Sequence, residues 1–156
     1  KENIEAGYAE HKFTDEEIIS ILDEVGLKDI VLKFENGINT QLGQLSKGIE
    51  LSKGQWQRLA IARLLANPNK TIWILDEPTA YLDPISEIEI YDMIYELSGD
   101  KTVLFISHRL GFAKRASRII VFDAGNVAEQ GTHDELMQND GIYAKMYKIQ
   151  ENWYAV

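Results

Sequence analysis

The sequence has no cysteine. That excludes disulfide staples, thiolate metal sites and a thiol nucleophile at once, and it fits a reducing compartment. Positive charge is also scarce: 16 Lys and Arg stand against 25 Asp and Glu, a formal net charge of −9. Without a basic block, the chain is poorly equipped to neutralise a phosphodiester backbone, so no nucleic-acid partner is expected. No apolar run approaches the ~20 residues that a membrane-spanning helix needs. No stretch of these 156 residues is expected to act as a signal peptide, and there is no low-complexity segment. What remains is a 156-residue chain, 45% hydrophobic and 26% charged, the balance of a globular protein rather than a disordered one. The length suits one compact domain. The first residue is Lys1, not Met, and the sequence is expected to be a piece of a longer protein.

The hydrophobic pattern changes along the chain. Residues 1–45 read as helical. Thr14 and Glu17 form a capping box, Ile18, Ile21, Leu22 and Val25 recur at helical spacing, and Gly26 stops the run. A second short helix is predicted over Lys28–Phe34, ended by Asn36-Gly37. Residues 53–66 form a helix that is apolar almost all round and therefore well buried. Thr71-Ile72-Trp73-Ile74-Leu75 is a continuous apolar run with β-branched residues, the pattern of a parallel strand covered on both faces. Asp83 as N-cap and Pro84 at the first position then open a helix ending before Gly99. Thr102–Ile106 is a second strand, residues 110–117 a short helix and Arg118–Phe122 a third strand. A turn at Asp123–Asn126 leads to a short strand ending near Gln130. Thr132 and Glu135 cap a final helical stretch running to about residue 150. Strand–helix–strand–helix–strand predicts α/β architecture with crossover connections. One short repeat, Leu-Ser-Lys-Gly at 45–48 and 51–54, is too short for a solenoid.

Three polar features fall where ligands bind in open parallel sheets, beyond the strand ends. Asp76-Glu77 follows the first strand. Two adjacent carboxylates there suit a divalent cation at Asp76 and a water polarised by Glu77; in isolation a solvated strand end explains them better, since such pairs are common. Ser107-His108-Arg109 follows the second strand, where His108 could meet a transferring phosphoryl group or could simply be satisfied by its own backbone. Leu51-Ser52-Lys53-Gly54-Gln55 opens the buried helix. Ser52 and Gln55 make a capping box there, and the same helix end offers N–H groups and positive potential to a phosphate, with Gly54 permitting close approach.

In this order and spacing, these elements resemble the nucleotide-binding domain of ATP-binding-cassette (ABC) transporters over nearly the whole chain. Leu51–Gln55 is similar to the family signature, with Lys53 where Gly is commonest. Gln57–Leu65 resembles the helix after it, Ile72–Glu77 the Walker B strand with its catalytic glutamate, and Ala80–Asp83 the D-loop, with Ala80 and Tyr81 in place of the commonest Ser-Ala. Ser107-His108-Arg109 resembles the switch-histidine loop, and Glu2-Asn3-Ile4 the start of the helical subdomain. Gly131–Leu136, followed by Gly141-Ile142-Tyr143, resembles the tail of exporter-type members. No G-x-x-x-x-G-K followed by Ser or Thr, the phosphate-binding loop, occurs in the sequence; in the family it lies upstream of the segment matched here.

The resemblance implies a P-loop NTPase-like parallel sheet with an N-terminal helical subdomain, the sheet incomplete in this stretch. Residues 1–70 would be the helical subdomain, signature and following helix, and residues 71–156 the C-terminal part of the ATPase core. The cofactors implied are ATP and Mg²⁺. Asp76 would serve Mg²⁺, Glu77 the attacking water and His108 the γ-phosphate. Leu51, Ser52, Lys53, Gly54 and Gln55 would face ATP held by a second nucleotide-binding domain in a head-to-tail dimer, and Asp83 would contact that partner. The whole would sit at the cytoplasmic face of a membrane, coupled to a transmembrane domain of an exporter. Residues 1–156 alone are expected not to hydrolyse ATP. Two alternatives are a soluble ABC ATPase working on DNA or ribosomes, and a non-catalytic module presenting only its signature.

Overall fold

The computed structural model describes residues 1–43, 48–80 and 82–154. Leu45, Ser46 and Lys47 of the first Leu-Ser-Lys-Gly copy, and the Tyr81 departure, lie outside them. Where its length suits a single domain, the chain forms two compact units, Lys1–Ile106 and Ser107–Val156. Buried side chains occur in each, Ile18, Leu59 and Trp73 among those of the first and Leu136, Tyr143 and Ala144 in the second.

The first unit begins with four helices: α1 (Glu2–Glu5), α2 (Asp15–Glu24), α3 (Lys28–Val31) and α4 (Lys53–Leu65). Thr14 caps α2 as its sequence predicts: the Thr14 hydroxyl accepts from Glu17 N–H at 3.2 Å, and the Glu17 carboxylate accepts from Thr14 N–H at 2.7 Å. Ile18 and Leu22 of this helix and its C-cap Val25 are buried in the core, and Gly26 follows with φ of +67°. The central helix is α4, which packs against α1, α2 and α5. Its Leu59, Ile61 and Ala62 are buried, while Trp56, Leu64 and Leu65 are partly so. Arg63 ties α4 to α1, donating from Nε to Asn3 O at 3.1 Å and from Nη2 to Asn3 Oδ1 at 2.6 Å.

Strands β1 (Ile72–Asp76) and β2 (Thr102–Ile106) pair in parallel through the helix α5 (Pro84–Ser98). The register sets Trp73 beside Val103 and Leu75 beside Phe105, with Ile74 beside Leu104 and Asp76 beside Ile106. Trp73 and Leu75 are buried with Ile90 and Ile94 of α5, and Tyr91 meets Phe105 edge to face. The other face corrects the expectation of a strand covered on both sides. Ile72 and Ile74 are 60% and 63% exposed, and Leu104 and Ile106 48% each. Alternation along a strand sends successive side chains to opposite faces, and among the described residues helices cover one of them.

The second unit holds a 3₁₀ turn over Leu110–Arg115, a hairpin of β3 (Ile119–Asp123) and β4 (Asn126–Gly131), and helices α6 (His133–Gln138) and α7 (Ile142–Tyr154). The third strand thus differs from the crossover expectation: β3 pairs antiparallel with β4 in a separate sheet. The reason is local. Ala124 and Gly125 both have positive φ, +45° and +78°, the conformation of a tight two-residue hairpin turn. Ala128 is the extra residue of a bulge, since Val121 faces Glu129 and Phe122 faces Val127. Thr132 and Glu135 form the predicted capping box of α6. Burial raises the Tyr143 hydroxyl to about 12, and that hydroxyl lies 2.8 Å from His133 Nδ1. No helix among the described residues is long and apolar enough to cross a membrane.

The closest backbone approach gives a stability prediction. A Cβ on Gly7 would collide with the Arg63 carbonyl, whereas one on Gly111 would meet nothing within 4 Å. Gly7→Ala should cost about 2 kcal/mol through overpacking, and Gly111→Ala less than about 0.5 kcal/mol, as read by chemical denaturation of the two variants side by side.

Candidate functional site

The end of β1 is built from backbone upward. Asp76 closes the strand with an exposed side chain, and its register position beside Ile106 shares the open face with Ile72 and Ile74. The chain then turns sharply. Glu77 adopts φ of +47°, the left-handed region, and is one of three non-glycine residues there among those described. Its N–H still donates to Ile106 O at 2.8 Å, and its carbonyl accepts from Ala80 N–H at 3.0 Å. A glutamate in this conformation carries strain of about 1–3 kcal/mol, tolerated where surrounding structure over-determines it. Thr79 holds the turn from below. Buried at 2% exposure, its hydroxyl lies 3.1 Å from Tyr91 Oη and 3.5 Å from Glu87 Oε1 on α5.

Asp83 ends the turn as the N-cap that its sequence predicts. Oδ1 accepts from Ile85 N–H at 3.1 Å and Ser86 N–H at 3.0 Å, while Oδ2 accepts from the Ser86 hydroxyl at 2.6 Å. These bonds, the Ser86 hydroxyl foremost, hold the carboxyl below its ordinary value. Oδ2 keeps a further acceptor site, so Asp83 can cap α5 and still accept from another group.

The start of α4 is arranged in the same way. Ser52 Oγ accepts from Gln55 N–H at 3.2 Å, and Gln55 Oε1 accepts from Ser52 N–H at 2.9 Å. The cap occupies an acceptor site of the Ser52 hydroxyl and leaves its proton for another partner. Gly54 N–H lies in the first turn, so no i−4 carbonyl within the helix can reach it. Leu51 is buried as an anchor, Lys53 is exposed, and a Cβ at Gly54 would have nothing nearer than Leu82 Cδ2 at 4.0 Å. The fold thus brings the helix start at Gly54 alongside the turn at Leu82, 28 positions apart in the sequence.

His108 lies in the second unit, exposed, on a loop braced by hydrogen bonds. Ser107 Oγ accepts from Arg109 N–H at 3.0 Å, and the same hydroxyl lies 3.3 Å from Arg109 O. Gln150 on α7 donates from Nε2 to the His108 carbonyl and accepts from Leu110 N–H at 2.8 Å. Sequence reasoning passed over Gln150, which lies 42 residues from His108 and carries no motif. It also passed over Arg58, which joins three segments of the first unit. Arg58 donates to Val25 O at 3.2 Å and pairs with Glu89 Oε2 at 2.7 Å. Glu129 is a third such residue, its carboxylate accepting from Ile142 N–H at 2.7 Å and Tyr143 N–H at 3.0 Å to begin α7.

A parallel β-α-β unit with acidic residues at its first strand tip, preceded by helices and a capped Ser-Lys-Gly-Gln helix start, is an α/β ATPase architecture. The chain belongs to the ABC transporter family, whose profile matches residues 2–80. It is 39% identical over 94% of its length to the nisin transport ATP-binding protein NisT of Lactococcus lactis subsp. lactis, of which it covers 24%. It is 44% identical over 91% of its length to the ATP-dependent lipid A-core flippase of Aliivibrio fischeri, again covering 24%. A solved structure of a bacterial Atm1-family ABC exporter with ATP bound superimposes with a TM-score of 0.79 and 32% identity, over 95% of this chain and 25% of that one. The chain therefore spans about a quarter of the length of the relatives it matches.

Glu77 supplies a prediction that separates conformation from chemistry. Glu77→Gly removes the Cβ from a left-handed position and should raise stability by about 1 kcal/mol, measured by denaturant unfolding. A loss of stability of that size would mean that the Glu77 side chain holds the turn and does not strain it.

Proposed function

We propose that this chain is part of the ATP-hydrolysing domain of an ABC exporter, in which residues 1–70 supply the helical subdomain and signature and residues 71–156 the C-terminal part of the ATPase core. The observation that carries the reading is the juxtaposition in the first unit. An exposed carboxylate at Asp76 is followed at once by a strained Glu77. The chain's likeness to transport ATP-binding proteins and flippases over more than nine-tenths of its length gives that pairing its context.

The residues suit the groups the family implies. Mg²⁺ takes oxygen ligands in octahedral geometry, commonly one or two carboxylates completed by water and phosphate oxygens. Asp76 offers one such carboxylate. When bound, the ion neutralises charge on the transferring phosphoryl group. Glu77 accepts a proton from, and orients, the attacking water. His108 donates to a γ-phosphate oxygen. Ser52, through its spare hydroxyl proton, and the Gly54 N–H at the positive end of α4 bind the γ-phosphate held by a second nucleotide-binding domain. Leu51 anchors that loop, Gln55 fixes its cap and Lys53 adds positive charge beside it. Asp83 meets the partner domain at the turn into α5. Hydrolysis is coupled to a transmembrane domain, with this chain at the cytoplasmic face and no nucleic acid involved.

The test is Glu77→Gln in the intact protein. The amide keeps the shape of the side chain but cannot take the proton, so ATP binding should persist while steady-state hydrolysis falls about 10²–10⁴-fold. Unchanged hydrolysis would take Glu77 out of the role. Residues 1–156 expressed alone should show no Mg²⁺-dependent ATP turnover, because the phosphate-loop lysine and its backbone nest are not in this sequence; turnover by that chain would defeat the assignment.

A further inference from the structure

We infer that Gln150 is a positioning residue for His108: its carboxamide clamps the backbone on both sides of Arg109, so helix α7 sets the loop that presents the imidazole. The inference rests on the catalytic reading of His108 given above and goes beyond it by assigning a part to the last helix.

The geometry makes the clamp specific. Arg109 is extended, with φ of −99° and ψ of 107°. In an extended residue, the carbonyl before it and the N–H after it emerge on one edge, and its own N–H and carbonyl on the other. On the first edge, Gln150 meets both groups. Its Nε2 donates to His108 O, and its Oε1 accepts from Leu110 N–H at 2.8 Å. On the second edge, the Ser107 hydroxyl accepts from Arg109 N–H at 3.0 Å and lies 3.3 Å from Arg109 O. A carboxamide carries one donor and one acceptor group in a fixed plane, so it can act as a one-residue strand partner for this stretch. A carboxylate cannot, because it has no proton for the carbonyl. The loop is thereby held along both edges by two side chains, while the His108 side chain stays exposed.

Gln150 can hold the loop because α7 is itself fixed. Glu129 accepts from the N–H groups of Ile142 and Tyr143 at the helix start, Tyr143 and Ala144 are buried, and α7 packs against the 3₁₀ turn that follows His108. A displacement of about 1 Å at a reacting group can lower a rate about 10²-fold. An unclamped loop would lose that much positioning without losing the imidazole.

The experiment compares wild type, Gln150→Leu, Gln150→Glu, His108→Ala and the His108→Ala/Gln150→Leu double variant, all in the intact protein, by ATP saturation kinetics and thermal melting. Gln150→Leu should lower kcat about tenfold or more and leave KM for ATP within about twofold, since the interaction serves the transition state and not ground-state binding. Gln150→Glu keeps the acceptor for Leu110 but sets a carboxylate against the His108 carbonyl, and should lower kcat as much; it also serves as the probe if the leucine variant does not fold. In the His108→Ala background, Gln150→Leu should cause no further loss, because the group being positioned is already gone. If His108→Ala is impaired while both Gln150 variants keep wild-type kcat, the clamp is overturned and the reading of His108 stands. An equal fractional loss from Gln150→Leu in both backgrounds also overturns it, since the residue would then act on the fold and not through His108. Unimpaired hydrolysis by His108→Ala would remove the reading of His108 and the clamp with it.

Discussion

Backbone N–H and carbonyl groups freed where a strand or helix ends are met by side chains, water or a ligand, and that constraint organises this protein. Buried or half-buried polar groups left unmet cost ~1–3 kcal/mol each, so chain reversals are built around side chains that meet them. Ser52 and Gln55 do this at the start of α4, Asp83 at the start of α5, and Glu129 at the start of α7. Ser107 and Gln150 do it after β2. The residues proposed for chemistry sit on or beside the same reversals. A strand tip or helix start is where polar side chains can reach outward while the backbone behind them stays satisfied.

The same economy leaves side chains with two roles. Asp83 engages both oxygens at the start of α5 and keeps an acceptor site on Oδ2, and Ser52 engages an acceptor site on α4 and keeps a proton. Glu77 is different, since its cost is conformational: a φ of +47° is paid by a glutamate where glycine would sit without strain. The Thr79–Tyr91 contact beneath the turn and the Glu77 N–H bond to Ile106 hold it there. The open face of the β1–β2 sheet adds a further asymmetry. Ile72, Ile74, Leu104 and Ile106 are exposed on it, and Asp76 shares it. An apolar face with a single terminal carboxylate is a costly surface for an isolated sheet and a natural one for a sheet that continues through further packing.

Much of this was legible in the residues. The three capping boxes, the Asp83-Pro84 helix start, both parallel strands and the hairpin turn at 123–126 lie within a few positions of their sequence signals, because caps and turns are decided by neighbours along the chain. The coverage of β1 was not legible. A run such as Ile72–Leu75 records that both faces are apolar, and says nothing of whether helices lie on both. Nor was the pairing of β3, since a strand's composition does not name its partner; the left-handed pair at Ala124 and Gly125 closes it onto β4.

By itself, the sequence determined the elements, their caps and the order of polar groups after each strand, and hence the family, since each depends on residues within a few positions of one another. Only the tertiary structure decided which groups meet across the chain: Gly54 beside Leu82, Arg58 between Val25 and Glu89, Gln150 on the backbone of His108 and Leu110. These contacts join residues 28 to 42 positions apart or thereabouts. They follow from how helices pack and from backbone groups that any sequence carries, so no local pattern of side chains announces them.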